Sequence, residues 1–386
     1  MIVEYAAEII SGRSKDKVTL QLEVDGLSVL APFDSYYLPY SEIKSFGWQD
    51  YSVRILAEDK SFTISHLNDQ GGEFFHELYK AYNSKVRQAL YIKGDPSFQA
   101  EANFRYVENE IVSQGSAVIE VYENCVLILP PDERARRIPL YFASKLERID
   151  CGVTIELNTG ERYCFGRLGL DTEALARHIE RSLHGLREKA LTAIREIDGG
   201  LNMQQLADIA KIVPEESAVP LICLYSIAPS FVQSLEAKIA KRKINAKYQF
   251  LKQNFNIEQI CIGIKRGLYG EKGENTIWLI TPGKNFNTAA VEIATCVEEA
   301  TATFLYGSIS SWEVFWQKLN QVMEAVGFNH KLILLSKEEL LKPEYTQYAM
   351  LIKRNPALQL IRRHFGGSHI HYSLESWKQE ILSYMA

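Results

Sequence analysis

The chain has 386 residues, of which 46% are hydrophobic and 24% charged, with a formal net charge of -5 and a pI near 6.0. That length predicts roughly two to four domains with ordinary apolar cores. The composition is not that of a disordered chain, and the acidic balance speaks against a protein that coats nucleic acid over its whole surface. Cys125, Cys151, Cys164, Cys223, Cys261 and Cys296 form no C-x-x-C pair and are too sparse for a disulfide scaffold, so a reducing, cytoplasmic setting is expected. The opening MIVEYAAEIISGRSKDK carries Glu4 and Glu8 and no basic stretch followed by an apolar one, so no signal peptide is expected. No window approaches about 18 uncharged apolar residues, the length of a membrane-spanning helix.

In chain order, Leu20, Leu22 and Val24 alternate with Thr19, Gln21 and Glu23, the period of a half-buried strand. Asp25-Gly26 separates this run from Leu27–Leu30 and predicts a hairpin in which both turn residues reach positive φ. Strands come next at Tyr36–Tyr40, Ile43–Trp48, Tyr51–Ala57 and Ser61–Leu67, with Glu58-Asp59-Lys60 joining the last two. A helix from Glu73 places Phe75, Leu78, Tyr79, Tyr82 and Val86 on one face, where burial of Phe75, Leu78 and Tyr82 is expected.

The same order recurs roughly a hundred residues later, and an internal repeat governs the fold. SAVIEVYENCVLIL, IPLYFASKLERI and GVTIELNTGERYCFGRL stand where VTLQLEVDGLSVL, LPYSEIKSF and YSVRILAEDKSFTISHL stood. Pro39 matches Pro139, Val53 matches Val153, Ile55 matches Ile155, and Phe62 and Ile64 match Tyr163 and Phe165. A helix comes next with Asp171 as its N-cap. It carries Leu175, Ile179 and Leu183, expected to be buried, and then a heptad stripe through Leu186, Ala190, Ala193 and Ile197. That tail must bury its stripe outside its own unit, against the third region of the chain or against a second copy, the latter giving a homodimer through Asp171–Ile197. Asp198-Gly199-Gly200 ends the helix.

A short helix at Met203–Ile212 and the prolines Pro214, Pro220 and Pro229 make Gly199–Pro229 a connector. A long helix is then expected at Ser230–Asn254, strands at Ile257–Tyr269, Thr276–Thr281, Ala290–Thr295 and Thr301–Tyr306, a helix at Trp312–Val326 and a short strand at Lys331–Leu335. The end is helical, in pieces broken by Pro343, Pro356 and Gly366-Gly367. The domains expected are a first unit at 1–95, a second at 96–198, the connector at 199–229 and an α+β domain with an antiparallel sheet at 230–386.

Short antiparallel strands closed by one helix, with Leu38-Pro39-Tyr40-Ser41-Glu42-Ile43 and Ile138-Pro139 through Leu146 turning into a strand mid-unit, resemble the pleckstrin-homology-like superfold in its bacterial or GRAM-like form. The resemblance covers Val18–Leu90 and Ser116–Leu186. It implies two consecutive β-barrel or sandwich units, each capped by a C-terminal helix, and binding of phosphoinositides, peptides or protein domains, usually without catalysis. The first hairpin, Val24-Asp25-Gly26-Leu27, and its counterpart at Tyr122–Val126 lack the basic residues that hold inositol phosphates, so lipid binding is expected to be weak or absent.

Two basic groups are candidate anion- or partner-binding sites. Arg134, Arg136 and Arg137 lie in PPDERARRIP, on a loop before a strand, where guanidinium groups can grip a phosphate bidentately. Asp132 and Glu133 beside them weaken an anion site, and a solvated loop is the simpler reading. Lys238, Lys241 and Arg242 share a face of the Ser230–Asn254 helix, together with Lys243, Lys247 and Lys252 and against the single acid Glu236. Such a helix can meet an acidic partner, a membrane surface or nucleic acid, although a core helix with a charged outer face is simpler.

His369 and His371, in Gly366-Gly367-Ser368-His369-Ile370-His371, have the spacing of one strand face, but neither His330 nor His364 is spaced as a third metal ligand. Glu292, Glu298 and Glu299 lack the lysine that a metal-dependent nuclease needs. Gly267, Gly270 and Gly273 lie between strands and make neither a phosphate loop nor a dinucleotide fingerprint. No serine, cysteine or histidine has a nucleophile-elbow context. The expectation is a non-catalytic cytoplasmic interaction protein or scaffold with protein partners and no metal or cofactor. The alternative is an enzyme or nucleic-acid-acting module in the third domain, recruited by the repeats, with membrane-surface binding a weaker third.

Overall fold

The computed structural model describes residues 4–11, 14–32, 35–108, 110–150, 152–214, 217–266, 275–294, 301–370 and 373–386. The protein is of mixed α and β type with antiparallel sheets. In the first unit, strands β1 (Glu4–Ser11), β2 (Ser14–Leu22), β3 (Gly26–Leu30), β4 (Tyr36–Pro39), β5 (Ile43–Gln49), β6 (Ser52–Ala57) and β7 (Ser61–Ser65) form one sheet in the order β4-β3-β2-β1-β7-β6-β5. Helix α1 (Gly71–Ala89) comes after it. The second unit repeats this with β8 (Phe98–Glu108), β9 (Ile111–Val121), β10 (Cys125–Leu129), β11 (Arg136–Pro139), β12 (Ala143–Ile149), β13 (Gly152–Leu157) and β14 (Arg162–Gly166), in the order β11-β10-β9-β8-β14-β13-β12, and with helix α2 (Asp171–Ile197).

The two sheets correspond residue by residue. Val53 pairs with Ile64 and Ile55 with Phe62, as Val153 pairs with Phe165 and Ile155 with Tyr163. Pro39 lies opposite Gly26 and Pro139 opposite Cys125. Each proline leads into a 3-10 turn, and each next strand slips register at the same place, between Ile43 and Ser45 and between Ala143 and Lys145. A bulge at an equivalent position bends both sheets alike.

The first strand of each unit lies within its expected domain, 1–95 or 96–198, but before the stretch that carries the resemblance, Val18–Leu90 or Ser116–Leu186. β1 and β8 are central, each bonded to strands on both sides, and Tyr5, Ala7 and Ile9 or Ala102, Phe104 and Tyr106 point inward. The hairpin after β2 forms, but neither Asp25 nor Gly26 has positive φ. Gly26 is needed there for space: an added Cβ would lie 2.4 Å from the Leu38 carbonyl and 2.7 Å from the Tyr37 ring. On α1 the core face is Phe74, Leu78, Tyr82, Val86 and Ala89, so the buried phenylalanine is Phe74 and Phe75 is only half-buried. On α2, Leu175 and Ile179 are buried and Leu183 is partly so. Asp171 is the first helical residue rather than the cap, and with Glu173 it complements the helix N-terminus.

The third region comprises α3 (Met203–Ile212), β15 (Val219–Pro220), α4 (Leu221–Tyr225), α5 (Pro229–Ala240), α6 (Asn245–Asn254), β16 (Cys261–Arg266), β17 (Asn275–Pro282), β18 (Ala289–Ala294), β19 (Thr301–Tyr306), α7 (Trp312–Val326), α8 (His330–Leu334), α9 (Thr346–Arg354), α10 (Pro356–His364), β20 (Phe365–Ile370) and α11 (Leu374–Met385). Its sheet runs β15-β16-β17-β18-β19-β20. One face, through Trp278, Ile280, Val291 and Phe304, shares a core with α7, α9, α10 and the first unit. The other, through Ile277, Leu279, Ala290 and Leu305, packs with α4, α5, α6 and α11. The expected connector thus supplies an edge strand and the buried Leu221 and Leu224.

The tail of α2 buries Ala190 and Ile194, and Ile194 joins the core of the third region beside Leu206, Ile209 and Leu235. Its stripe is covered by α3 and α5 of the same chain.

Three expected elements differ. The helix Ser230–Asn254 is broken between α5 and α6, because Ile239 and Ile244 are both buried and a spacing of five cannot keep both on one face of a straight helix. Lys331–Leu335 is not a strand. Asn329 caps Lys331, and the Arg362 guanidinium takes the carbonyls of Leu332, Ile333 and Leu335, which closes a short helix. Gly366-Gly367 does separate two helices, α10 and α11, but as part of the strand β20 rather than as a turn, and a Cβ on Gly366 would lie 2.1 Å from the Tyr384 hydroxyl. The end of the Ile257–Tyr269 strand, Thr295, Gly267, Gly270, Gly273, Glu298, Glu299, His371 and the His369 side chain lie outside the described residues.

Candidate functional site

The first basic group does not gather into one anion site. Arg134 bonds Asp132 through Nε at 3.0 Å and lies over the Phe104 ring. Arg136 bonds Glu108 at 3.0 Å and covers Tyr106. Arg137 is buried and paired through both terminal nitrogens with Glu324 of α7. The loop carrying them is a seam: Phe46 N donates to Pro131 O at 2.9 Å and Glu133 N to Lys44 O at 3.0 Å, so the edge strand β5 of the first unit extends onto the second. In the second group, Lys238 is on α5, Lys241 caps its end, exposed, and Arg242 lies in the break before α6, so the three do not form a stripe on one continuous helix.

Glu292 is buried in the third sheet. It pairs with Lys247 and accepts from the Thr303 hydroxyl, which accepts in turn from Trp377 Nε1 at 2.8 Å. This chain of bonds is interior. Among the described residues, no group of three or more His, Cys, Asp or Glu side chains is placed to hold a metal.

Between the two repeats the fold builds a cleft of about 1020 Å³, bounded by α1 and the outer face of β8 and β9. α1 commits Phe74, Leu78, Tyr82 and Val86 to its own core. The adjacent stripe Phe75, Tyr79, Asn83 and Arg87, at steps of four, is left to face the second unit. Opposite stand Gln99, Glu101, Asn103, Ser116 and Val118, with Lys80 and Arg167 at the rim.

Each part of this wall is held in place. The Tyr79 hydroxyl donates to Leu129 O and accepts from Val118 N at 3.2 Å, and burial pushes its ionisation up to about 12. Arg87 reaches the buried Glu120 with two nitrogens, and Tyr122 donates to the same carboxylate at 2.8 Å. The bond to Glu120 raises the Arg87 guanidinium above its ordinary value, against the opposing effect of burial. Asn83 differs from these. It is 1% exposed, it lines the cleft, and neither its Oδ1 nor its Nδ2 has a partner among the described residues. A buried amide lacking both bonds costs on the order of 1–3 kcal/mol per group.

The sequence pattern assigns Phe75 and Tyr79 to the core and does not single out Asn83. The signal it does hold is the width of the apolar face: 74, 75, 78, 79, 82 and 86 cover more of the helix than one small sheet needs. No family model and no curated protein matches the chain. Among the described residues no helix is long and apolar enough to cross a membrane.

Proposed function

We propose that the protein is a non-catalytic cytoplasmic interaction protein whose two repeated units are pleckstrin-homology-like, and that it takes a polypeptide segment of a partner protein in the cleft between α1 and the β8–β9 face. The repeated strand order, with one helix after each sheet, supports the reading of the units. The observation that carries the binding proposal is Asn83 in the cleft wall, whose buried amide has one acceptor and a pair of donor hydrogens that no group among the described residues meets. A peptide group complements that pair, Phe75 and Tyr79 supply apolar wall beside it, and Lys80, Arg167 and Glu101 supply a rim of both signs.

A photo-crosslinking side chain at position 80 tests this. It is expected to capture a protein segment, identified by mass spectrometry. Capture should be lost when Ser116→Trp fills the cleft from its exposed wall and weakened by Asn83→Leu. Capture of the same segment at parental yield in both variants places the partner elsewhere.

A further inference from the structure

Where the second unit meets α7, α9 and α10 there is a small cavity of about 30 Å³. It is lined by Arg137 and Glu161 from the second unit, and by Gln321, Arg354, Asn355 and Ala357 from the third region. Arg354 is 2% exposed. Its terminal nitrogens donate to Met350 O at 3.1 Å and to the Tyr82 hydroxyl at 2.6 Å, and its Nε has no partner among the described residues. Among the described residues no carboxylate pairs with it. Arg137 is buried as well, and its Nε is also without a hydrogen bond.

The charges around the cavity do not balance. Glu324 is matched by Arg137, and Glu161 is matched by Lys318 and accepts from the Thr159 hydroxyl. Arg354 remains as the excess positive charge in a place almost without water. A buried charge lacking a counter-charge is strongly unfavourable. The cavity also lies at the N-terminus of α10, nine residues long, where Asn355 caps Leu358 and Ala357 presents a first-turn N–H.

We propose that this cavity binds a monatomic anion, chloride in the cell, as the counter-ion of Arg354. The volume suits it: roughly 10–15 Å³ already admits one water, and a cavity of a few times that size holds a halide. The donors are the two Nε–H groups and the helix start, and the carboxylates nearby are already engaged by their own cations. The ion sits where Arg354 reaches Tyr82 of α1, so its binding ties together all three parts of the chain.

Thermal unfolding in sodium chloride, compared with sodium gluconate at the same ionic strength, provides the test, because gluconate is too large to enter. The parental protein is expected to melt higher in chloride, with the difference growing as the logarithm of concentration once the site is half filled. Arg354→Met is expected to lose that difference. A second measurement does not depend on the folding of that variant and uses the parental protein alone: crystals grown in bromide should show an anomalous peak between Arg354 and Arg137. Equal melting in the two salts overturns the proposal, and so does an ordered water without anomalous signal at that place.

Discussion

The seam between the second unit and the third region is expected to depend on Lys318. Its ammonium meets Glu161, and both side chains are more than nine-tenths buried. Among the described residues Glu161 otherwise accepts only from Thr159, whose hydroxyl is itself shared with Gln321 at 2.8 Å. Lys318→Met keeps the length of the stem and leaves the carboxylate charged and dry. Breaking a buried pair from one side costs about 3–5 kcal/mol. At about 2.1 cal/mol/K per residue, 386 residues unfolding together carry an entropy near 0.8 kcal/mol/K, so the melting temperature should fall by about 4–6 °C. Lys318→Met with Glu161→Leu removes both charges and should recover most of that loss, since apolar replacement of a whole buried pair is often neutral or better. Differential scanning calorimetry of the four proteins at pH 7 measures the cycle. If Lys318→Met melts within about 1 °C of the parent, or the double variant melts as low as the single one, the pair is solvated and the reasoning fails.

Three further outcomes are expected. Ile194→Ala should cost about 2–5 kcal/mol in urea unfolding, because Ile194 is buried between α2 and the third region; a cost no greater than that of the exposed Arg195→Ala would mean the helix tail stands in water. Tyr79→Phe leaves Val118 N and Leu129 O without their hydroxyl partner and should cost about 1–3 kcal/mol, read by the same unfolding assay; an unchanged midpoint would refute it. His330 lies against Phe304 and Phe328 with Nε2 unpartnered, and burial holds its imidazolium form below the ordinary value of 6.5. The unfolded chain therefore takes the proton first, and stability falls as pH drops below 6.5 toward the folded-state value. His330→Phe should flatten the decline in melting temperature as pH falls below 6.5; a decline as steep as the parent's would exclude His330 as its source.

What could be read from the sequence was set by period and by local chemistry. Val53, Ile55, Val153 and Ile155 alternate with polar residues, so the register of the paired hairpins comes from the repeat itself. β1 is harder to read, because Ala6 and Ile10 are apolar like the inward Tyr5, Ala7 and Ile9 and blur the alternation. The break between α5 and α6 is not legible, since Lys241-Arg242-Lys243 contains no glycine or proline; only the burial of Ile244 in the third core requires it. The helix at His330–Leu334 depends on Arg362, some thirty residues away in sequence, and no local window contains that bond. The cleft is illegible for the same reason, as its two walls come from different units.

The fate of the arginine cluster shows how charge should be weighed in a chain of this design. Arg134, Arg136 and Arg137 stand out as a run, yet Arg134 in the turn pairs with Asp132, while Arg136 and Arg137 on β11 go to Glu108 and Glu324. Successive residues on a strand point to opposite faces, so a run of like charges in sequence is divided in space. The repeat accentuates this. Its second copy is packed on two sides, β10 is buried along its whole length, and polar side chains near it must find partners across a seam or remain unsatisfied. Arginine with a carboxylate meets that demand well, because its planar fork can fill both oxygens. A group that does not meet it is the more informative one. Asn83 in the cleft and Arg354 at the junction are both buried, and each keeps bonding capacity for something the chain does not supply. One presents a neutral donor and acceptor beside aromatic rings, the other a cation at a helix start. The first suits the proposed peptide group and the second the proposed anion, and neither is visible as a cluster in the sequence.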